Sequence, residues 1–337
     1  MKYRRGMPRL YQRIARPRSA SAGDTPIMKN LSHLHKQKLT FTFALVMRWI
    51  LLIVLSLIWG SSFILIKEGL KGFTFMQLAM LRMFSASTFL LVFAIPHVRK
   101  IPKNRWKFVV LAALSGNFFP AMLFAGAETK LDSGVTGVLN ALTPVFTLLV
   151  SVFFYHDKTT MIQRVGIFVG FLGCACITGT SISVQSDSGI VLYAGMVVIA
   201  TLSYGISVNI IKHHLVDIHP LTLSSISLAT LLLPSGVYLF STDFATRVQD
   251  MQSLKPLYSV LALGILGSAI SLVFFNRLVQ ISSSLFASSV TYTIPIVALA
   301  WAIYAGEKIH ILHVLGMVLI IAGIYGVNKK TNIQTNK

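Results

Sequence analysis

Few residues of this 337-residue chain have both the type and the placement to do chemistry, and those few suit holding a solute better than converting one. Arg82 stands well inside the long apolar run 74–95. A cation at that depth in hydrocarbon is costly and normally faces a cavity or a partner. There it would recognise a carboxylate or a phosphate; the alternative is a structural cation held by backbone carbonyls. Asn117, Asn140, Asn209 and Asn276 are amides inside apolar runs, and Trp59, Tyr204, Tyr292 and Trp301 are aromatics in the same setting. Amides and aromatics together suit a zwitterionic or planar solute, with interhelical hydrogen bonding and packing as the alternative for each. Pro144 and Pro295 fall in mid-run, four residues after Asn140 and Thr291. A proline within a helix frees the carbonyl four residues earlier, and in lipid that carbonyl must find a partner in protein or cavity water. Both prolines are therefore expected to kink their helices at a central cavity and to act as deformable points.

The missing chemistry narrows the reading further. No cluster of His, Asp, Glu, Ser or Cys with catalytic spacing lies inside the apolar runs, and no Gly-rich phosphate loop ending in Gly-Lys-Ser/Thr is present. No cofactor is expected. Glu307, His310 and His313 are three residues apart and share a helix face, but groups at a span end are ordinarily solvated, so no metal site is assigned. Cys174 and Cys176 point to different faces of one helix, which disfavours a disulfide or a metal pair. Glu68, Glu128, Asp157 and Glu307 all sit at run ends, leaving no acid near a midplane. Carboxylate-driven proton antiport is thereby disfavoured against facilitated transport or exchange.

The elements that would position these residues are membrane-spanning helices. Hydrophobic residues make up 54% of the chain and charged residues 12%, where soluble domains carry about 25% charged residues. Apolar runs recur at 49–66, 74–95, 106–126, 134–154, 162–180, 190–211, 221–240, 257–278, 285–305 and 311–327. Each is near the ~20 residues a helix needs to cross ~30 Å of hydrocarbon. They are too long and too uniformly apolar for barrel strands. The net charge of +20 would suggest nucleic acid in a soluble protein, but here the cations gather in particular loops. With the N-terminus inside, 23 of the 30 Lys and Arg fall on the cytoplasmic side and 6 outside, which puts both termini in the cytoplasm. Residues 1–48 form a basic arm, broken by Pro8, Pro17 and Pro26, that reads as disordered and cytoplasmic; residues 328–337 are a short tail.

The two halves, 49–180 and 190–327, resemble each other. WGSSFILIKEGL (59–70) aligns with YGISVNIIKHHL (204–215), and the span holding Pro144 aligns with the span holding Pro295, so that Asn140 falls on Thr291. Gly166 and Gly173 then fall on Gly316 and Gly323. Five spans per half is an odd number, so the second half must enter from the opposite side. The expected fold is an all-α integral membrane protein, ten transmembrane helices as two inverted five-helix repeats. Secondary transporters use that architecture, with the substrate site where the halves meet.

WGSSF at the end of span one, LRMFSAS (81–87) in span two, the mid-span proline of span four with a short acidic turn after it, and the same proline followed by GEK in span nine resemble EamA-type members of the drug/metabolite transporter superfamily. The acidic turn after span four departs from that pattern, reading YHDK where the family more often has Gly-Glu-Arg. The resemblance covers roughly residues 49–327. It implies a ten-helix carrier of small metabolites, amino acids or drugs, often outward, and it implies a role for Arg82. The expectation is a secondary transporter in a bacterial inner membrane, working by alternating access. Its expected partners are a small-molecule substrate and the lipid bilayer, with a homodimer left open and no nucleic acid. A membrane-embedded enzyme or a channel-like protein is the alternative.

Overall fold

A chain this apolar has few ways to satisfy its backbone in a bilayer, and the α-helix does so within each segment. The computed structural model describes residues 45–131, 133–179, 190–250, 254–304 and 311–328, and among them the chain is helical without strands. The chain divides into two units, Met1–Met47 and Arg48–Lys337, and the helical fold belongs to the second. The basic arm through residue 44 and the tail from 329 lie outside the described residues.

In chain order the helices are α1 Leu45–Gly69, α2 Phe75–Lys100 and α3 Lys103–Ala127; α4 Ser133–Asn140, α5 Thr143–Tyr155, α6 Met161–Gly179 and α7 Ile190–His214; α8 Pro220–Phe240 and α9 Phe244–Asp250; α10 Lys255–Ile281; then α11 Ser284–Ser288, α12 Val290–Tyr304 and α13 Ile311–Asn328. Six of them (α1, α2, α3, α7, α8 and α10) are long and apolar enough to cross a membrane. Shorter apolar helices occupy Thr143–Tyr155, Met161–Cys176, Ser284–Val297 and Val314–Val327. The outside is as greasy as the inside: Phe154, Val191 and Ile311 are each more than three-quarters exposed. A water-soluble monomer does not show so much contiguous apolar surface.

Local chemistry sets the helix ends. Thr74 caps α2 by accepting from the Gln77 backbone N–H, while the Gln77 side chain accepts from the Thr74 N–H, a reciprocal box that satisfies two orphan donors. Gln77 also donates to Asp243 Oδ1 at 2.7 Å, fastening the start of α2 to the turn after α8. α5 ends at His156, whose φ of 55° is left-handed, and the chain then returns Asp157 N–H to the Ser151 carbonyl.

One expectation needs correction. The run 134–154 does not form one helix kinked at Pro144. Helix α4 stops at Asn140, a two-residue turn follows, and α5 restarts with Pro144 in its first turn. That position suits proline, whose missing N–H would have no intrahelical partner there. The freed Asn140 carbonyl is taken by the Thr143 hydroxyl at 2.8 Å. Pro295, by contrast, lies inside α12, and the interruption nearest it falls earlier, at Ser289 between α11 and α12.

Packing relies on small residues. Helices α6 and α13 meet backbone to backbone. A Cβ on Gly166 would lie 2.8 Å from the Gly323 carbonyl and the Val327 N, and one on Gly323 would lie 2.6 Å from the Gly170 N. Lipid supplies no hydrophobic drive between helices, so this close approach and its dispersion are what join the pair. Elsewhere α2 packs along α8 through a core that includes Leu78, Met83, Ala86, Leu228 and Leu231. Gly166→Ala is expected to lower the midpoint of thermal unfolding in detergent, since overpacking costs roughly 1–3 kcal/mol. Gly195→Ala, at a position where an added methyl meets open space, should leave that midpoint unchanged or raise it slightly.

Candidate substrate cavity

Two stretches of widened, π-helical backbone prepare the site: Leu114–Phe118 within α3 and Ile265–Ile270 within α10. Such bulges loosen the local hydrogen-bond ladder and are frequent at functional sites. Their starts are 151 residues apart, the interval that also separates Pro144 from Pro295. Gly116 and Asn117 of the first and Gly267 and Ser268 of the second line the same cavity. Each bulge glycine accepts a serine from another helix. A Cβ on Gly116 would sit 2.3 Å from Ser207 Oγ of α7, and one on Gly267 would sit 3.3 Å from Ser62 Oγ of α1. Ser207 donates to the Ala112 carbonyl at 3.0 Å.

The cavity lies among α1, α2, α3, α7, α8, α10 and the interrupted pairs α4–α5 and α11–α12. It offers ≈ 120 Å³ to the centres of water-sized spheres. Roughly 10–15 Å³ by that measure holds one water, so several waters or a small organic solute fit. Its wall is mostly apolar with a few convergent polar groups, the usual make-up of a ligand site.

Arg82 is the one charged side chain among the described lining residues. Its Nε donates to Ser268 Oγ at 2.7 Å. No carboxylate forms an ion pair with it among the described residues. The guanidinium is thus oriented by the second bulge while its remaining donors stay available. Trp59 is held by the same bulge, with Nε1 donating to the Gly267 carbonyl at 3.0 Å and to Ser271 Oγ at 3.2 Å, so its indole forms a fixed wall. Asn117, Asn140, Tyr204 and Thr291 also line the cavity, and Asn276 joins them with its Nδ2 donating to Ser224 Oγ at 2.8 Å.

Other residues singled out from the sequence lie elsewhere. Asn209 is fully buried between helices, its Nδ2 donating to the Thr147 and Gly205 carbonyls at 2.9 and 2.8 Å. Tyr292 is equally buried, and its hydroxyl donates to the Ile167 carbonyl at 2.8 Å. Pro144 and Pro295 are buried behind the lining, while Thr143, Val290, Thr291 and Ile294 beside them reach it. Cys174 is buried, its thiol donating to the Tyr292 carbonyl at 3.6 Å, and Cys176 is half-buried. Glu307 and His310 lie outside the described residues, as does the side chain of His313. The sequence reading passed over the serines of the wall, Ser268 and Ser271 above all. The 151-residue interval, extended from the prolines to Gly116 and Gly267, is the signal that could have found them.

Beyond Ile211, which lines the cavity, side chains tie neighbouring helices together at one end of the bundle. Lys212 donates to the carbonyls of Val279 and Ser282, His213 Nε2 meets Asp157 Oδ2 at 3.0 Å, and Arg105 reaches Asp217 at 2.9 Å. At the far side, Glu128 closes α3. By sequence it stands at a run end; in the fold it is 5% exposed, one helical turn beyond the cavity residue Phe124.

A fold of apolar helices around one such cavity is that of a membrane transporter, and the EamA-like transporter family model matches the chain twice, over residues 47–179 and 191–329. The chain belongs to that family. It is 28% identical over 284 residues to an uncharacterized transporter of Archaeoglobus fulgidus, covering 84% of this chain and 99% of the relative. A protein of Streptantibioticus cattleyicolor named "probable terminal-alkyne amino-acid exporter" is 26% identical over 81% of this chain and 90% of its own length. An inner membrane transporter of Escherichia coli, YedA, is 27% identical over 73% of this chain and 79% of its own. A solved crystal structure with 14% identity shares the fold at a TM-score of 0.65, over 82% of this chain and 94% of the other. The chain is a multi-pass membrane protein.

Lining can be checked by thiol chemistry. In a Cys174→Ser, Cys176→Ser background, Asn117→Cys, Ser271→Cys and Thr291→Cys are expected to react with a small water-soluble methanethiosulfonate reagent. Asn209→Cys and Tyr292→Cys should react at least tenfold more slowly, as burial between helices excludes water; the rates are read by mass spectrometry of the folded protein.

Proposed function

We propose that this protein is a secondary carrier that moves a small amino-acid-like solute, outward, across a bacterial inner membrane by alternating access. The observation that carries the reading is Arg82. It is a single cation in a largely apolar cavity, held by Ser268 and without an acidic ion-pair partner among the described residues. Such a group has the geometry to take a solute carboxylate through a charge-assisted, paired hydrogen bond. Trp59 and Tyr204 supply apolar wall for the rest of the solute, and Asn117, Asn140 and Asn276 supply polar contacts. The family relative named as an amino-acid exporter points the same way.

For the architecture we propose ten spans in two inverted five-helix halves. The six long helices, with α4–α5, α6, α11–α12 and α13 as the other four, make up that number. The matched bulges and the equal Ser-on-Gly contacts of α7 on α3 and α1 on α10 support the repeat. An even number of spans puts both termini on one side, and the cation distribution favours the cytoplasm for it. The ties of Lys212, His213 and Arg105 then close the cytoplasmic end, and rocking of one half against the other must break them to open it.

Purified protein in liposomes, with a mixture of labelled neutral L-amino acids as probe, should show saturable uptake and counterflow. Non-saturating flux at channel rates would sink the carrier reading. Arg82→Ala is expected to lower the flux at least tenfold, the equivalent of a lost charged hydrogen bond of about 1.5–3 kcal/mol. Unchanged flux in a folded variant would remove Arg82 from recognition.

A further inference from the structure

Glu128 has no part in the recognition just described, yet it is the only acidic residue among the buried polar side chains of the described residues. Neither carboxylate oxygen has a hydrogen-bond partner among those residues. It ends α3, where its N–H bonds the Phe124 carbonyl at 2.9 Å, and the negative end of the helix dipole disfavours an anion there. Its neighbours Ala127 and Leu131 pack into an apolar cluster with Val197 and Ala200 of α7. An ionised carboxylate left unpaired in such surroundings is strongly disfavoured, and the group holds a proton instead.

The groups around it are few. Lys67 at the end of α1 and Arg82 on α2 act on it as cations; Tyr204 and Tyr193 are the titratable groups of α7 nearest its cluster; Lys130 follows it in the exposed turn. Burial pushes the Glu128 carboxyl up to about 8, while Lys67 and Arg82 pull it the other way. Arg82 is thus shared between the cavity and this acid. Phe124, one turn earlier on the same helix, lines the cavity, and Thr129 and Lys130, next in sequence, are exposed. The acid therefore stands between the cavity and water.

We propose that Glu128 is a proton-binding site coupled to the cavity through Arg82, holding its proton more tightly when an anionic group settles on the guanidinium and less tightly when that group leaves. An anion on Arg82 cancels the positive field that favours the ionised carboxylate, so anion and proton bind together. The proton site stands without the carrier reading; its use in transport rests on that reading.

The test is an infrared pH titration of the intact protein in detergent, following the carbonyl stretch of a protonated carboxylic acid, with no ligand added. The wild type should show that band at neutral pH and lose it with a midpoint near pH 8, as its raised value requires. Glu128→Gln should lack the band. Arg82→Gln should keep it and shift its midpoint upward, because the cation that favours ionisation is gone. A band absent from the wild type at neutral pH overturns the site, and a midpoint indifferent to Arg82→Gln overturns the coupling. Should Glu128→Gln not fold, Glu128→Asp must instead move the midpoint; a band unmoved by that change belongs to another group and overturns the assignment.

Thermal unfolding gives a second readout. The folded chain keeps the proton between about 4.5 and about 8, where the unfolded chain has lost it, so stability falls as pH rises through that window. Glu128→Gln should flatten the fall. Saturable counterflow without the band would leave the carrier and remove the proton site. The band without any flux would do the reverse.

Discussion

Hydrocarbon cannot hydrogen-bond a peptide group, so every irregular stretch of backbone in this protein must find its partner inside the protein. The rest of the structure follows from that constraint. Among the described residues, the two bulges and the breaks before Thr143 and Val290 border one cavity, and side chains meet loosened carbonyls there. Trp59 donates to Gly267, Thr143 to Asn140 and Ser207 to Ala112. Irregular backbone in a membrane needs partners of this kind, and around this cavity it adds polar groups to an otherwise mostly apolar wall.

Two kinds of small-residue contact divide the labour. Between α6 and α13, glycines bring backbone against backbone with no side chain to repack, which makes the seam stiff. Around the cavity, glycine instead faces serine: Gly116 meets Ser207, Gly264 meets Ser85, and Gly267 meets Ser62. A hydroxyl can rotate to a new carbonyl as helices slide, since serine bonds within its own helix or across with similar geometry. The wall of the cavity is thus built of exchangeable bonds, and the seam away from it is not.

How much of this was legible in the sequence depends on what hydropathy encodes. Depth along a helix is readable from distance to the nearest polar break, and depth placed Arg82, Asn117 and Tyr204 well inside the bilayer. Azimuth around the helix is not readable when the helix is apolar on all sides, because no polar stripe marks the inner face. Asn209 and Tyr292 have the same residue types and depth as the lining residues, yet bond between helices instead. Bulges carry no composition of their own, so nothing in the sequence singled out Gly267 and Ser268. The position of Pro144 marked the interruption of its span but not its form, since a proline fits the first turn of a new helix as well as it fits a kink.

Glu128 shows the limit from the other side. Sequence places it at a span end, where acids are usually solvated, and that inference fails because the Glu128 side chain is covered beside an apolar cluster with α7, although Thr129 and Lys130 next to it are exposed. Its distance from Arg82 matters as much as its burial. A carboxylate in contact with the guanidinium would occupy the donors that an incoming anion needs and would fix both charges as a closed pair. Held apart from it, the acid leaves Arg82 free to bind and still feels whether its charge has been cancelled. In a medium of low dielectric that influence reaches well beyond hydrogen-bond distance. An arginine and a buried acid that do not touch can therefore sense the same occupant, which a salt bridge between them could not do.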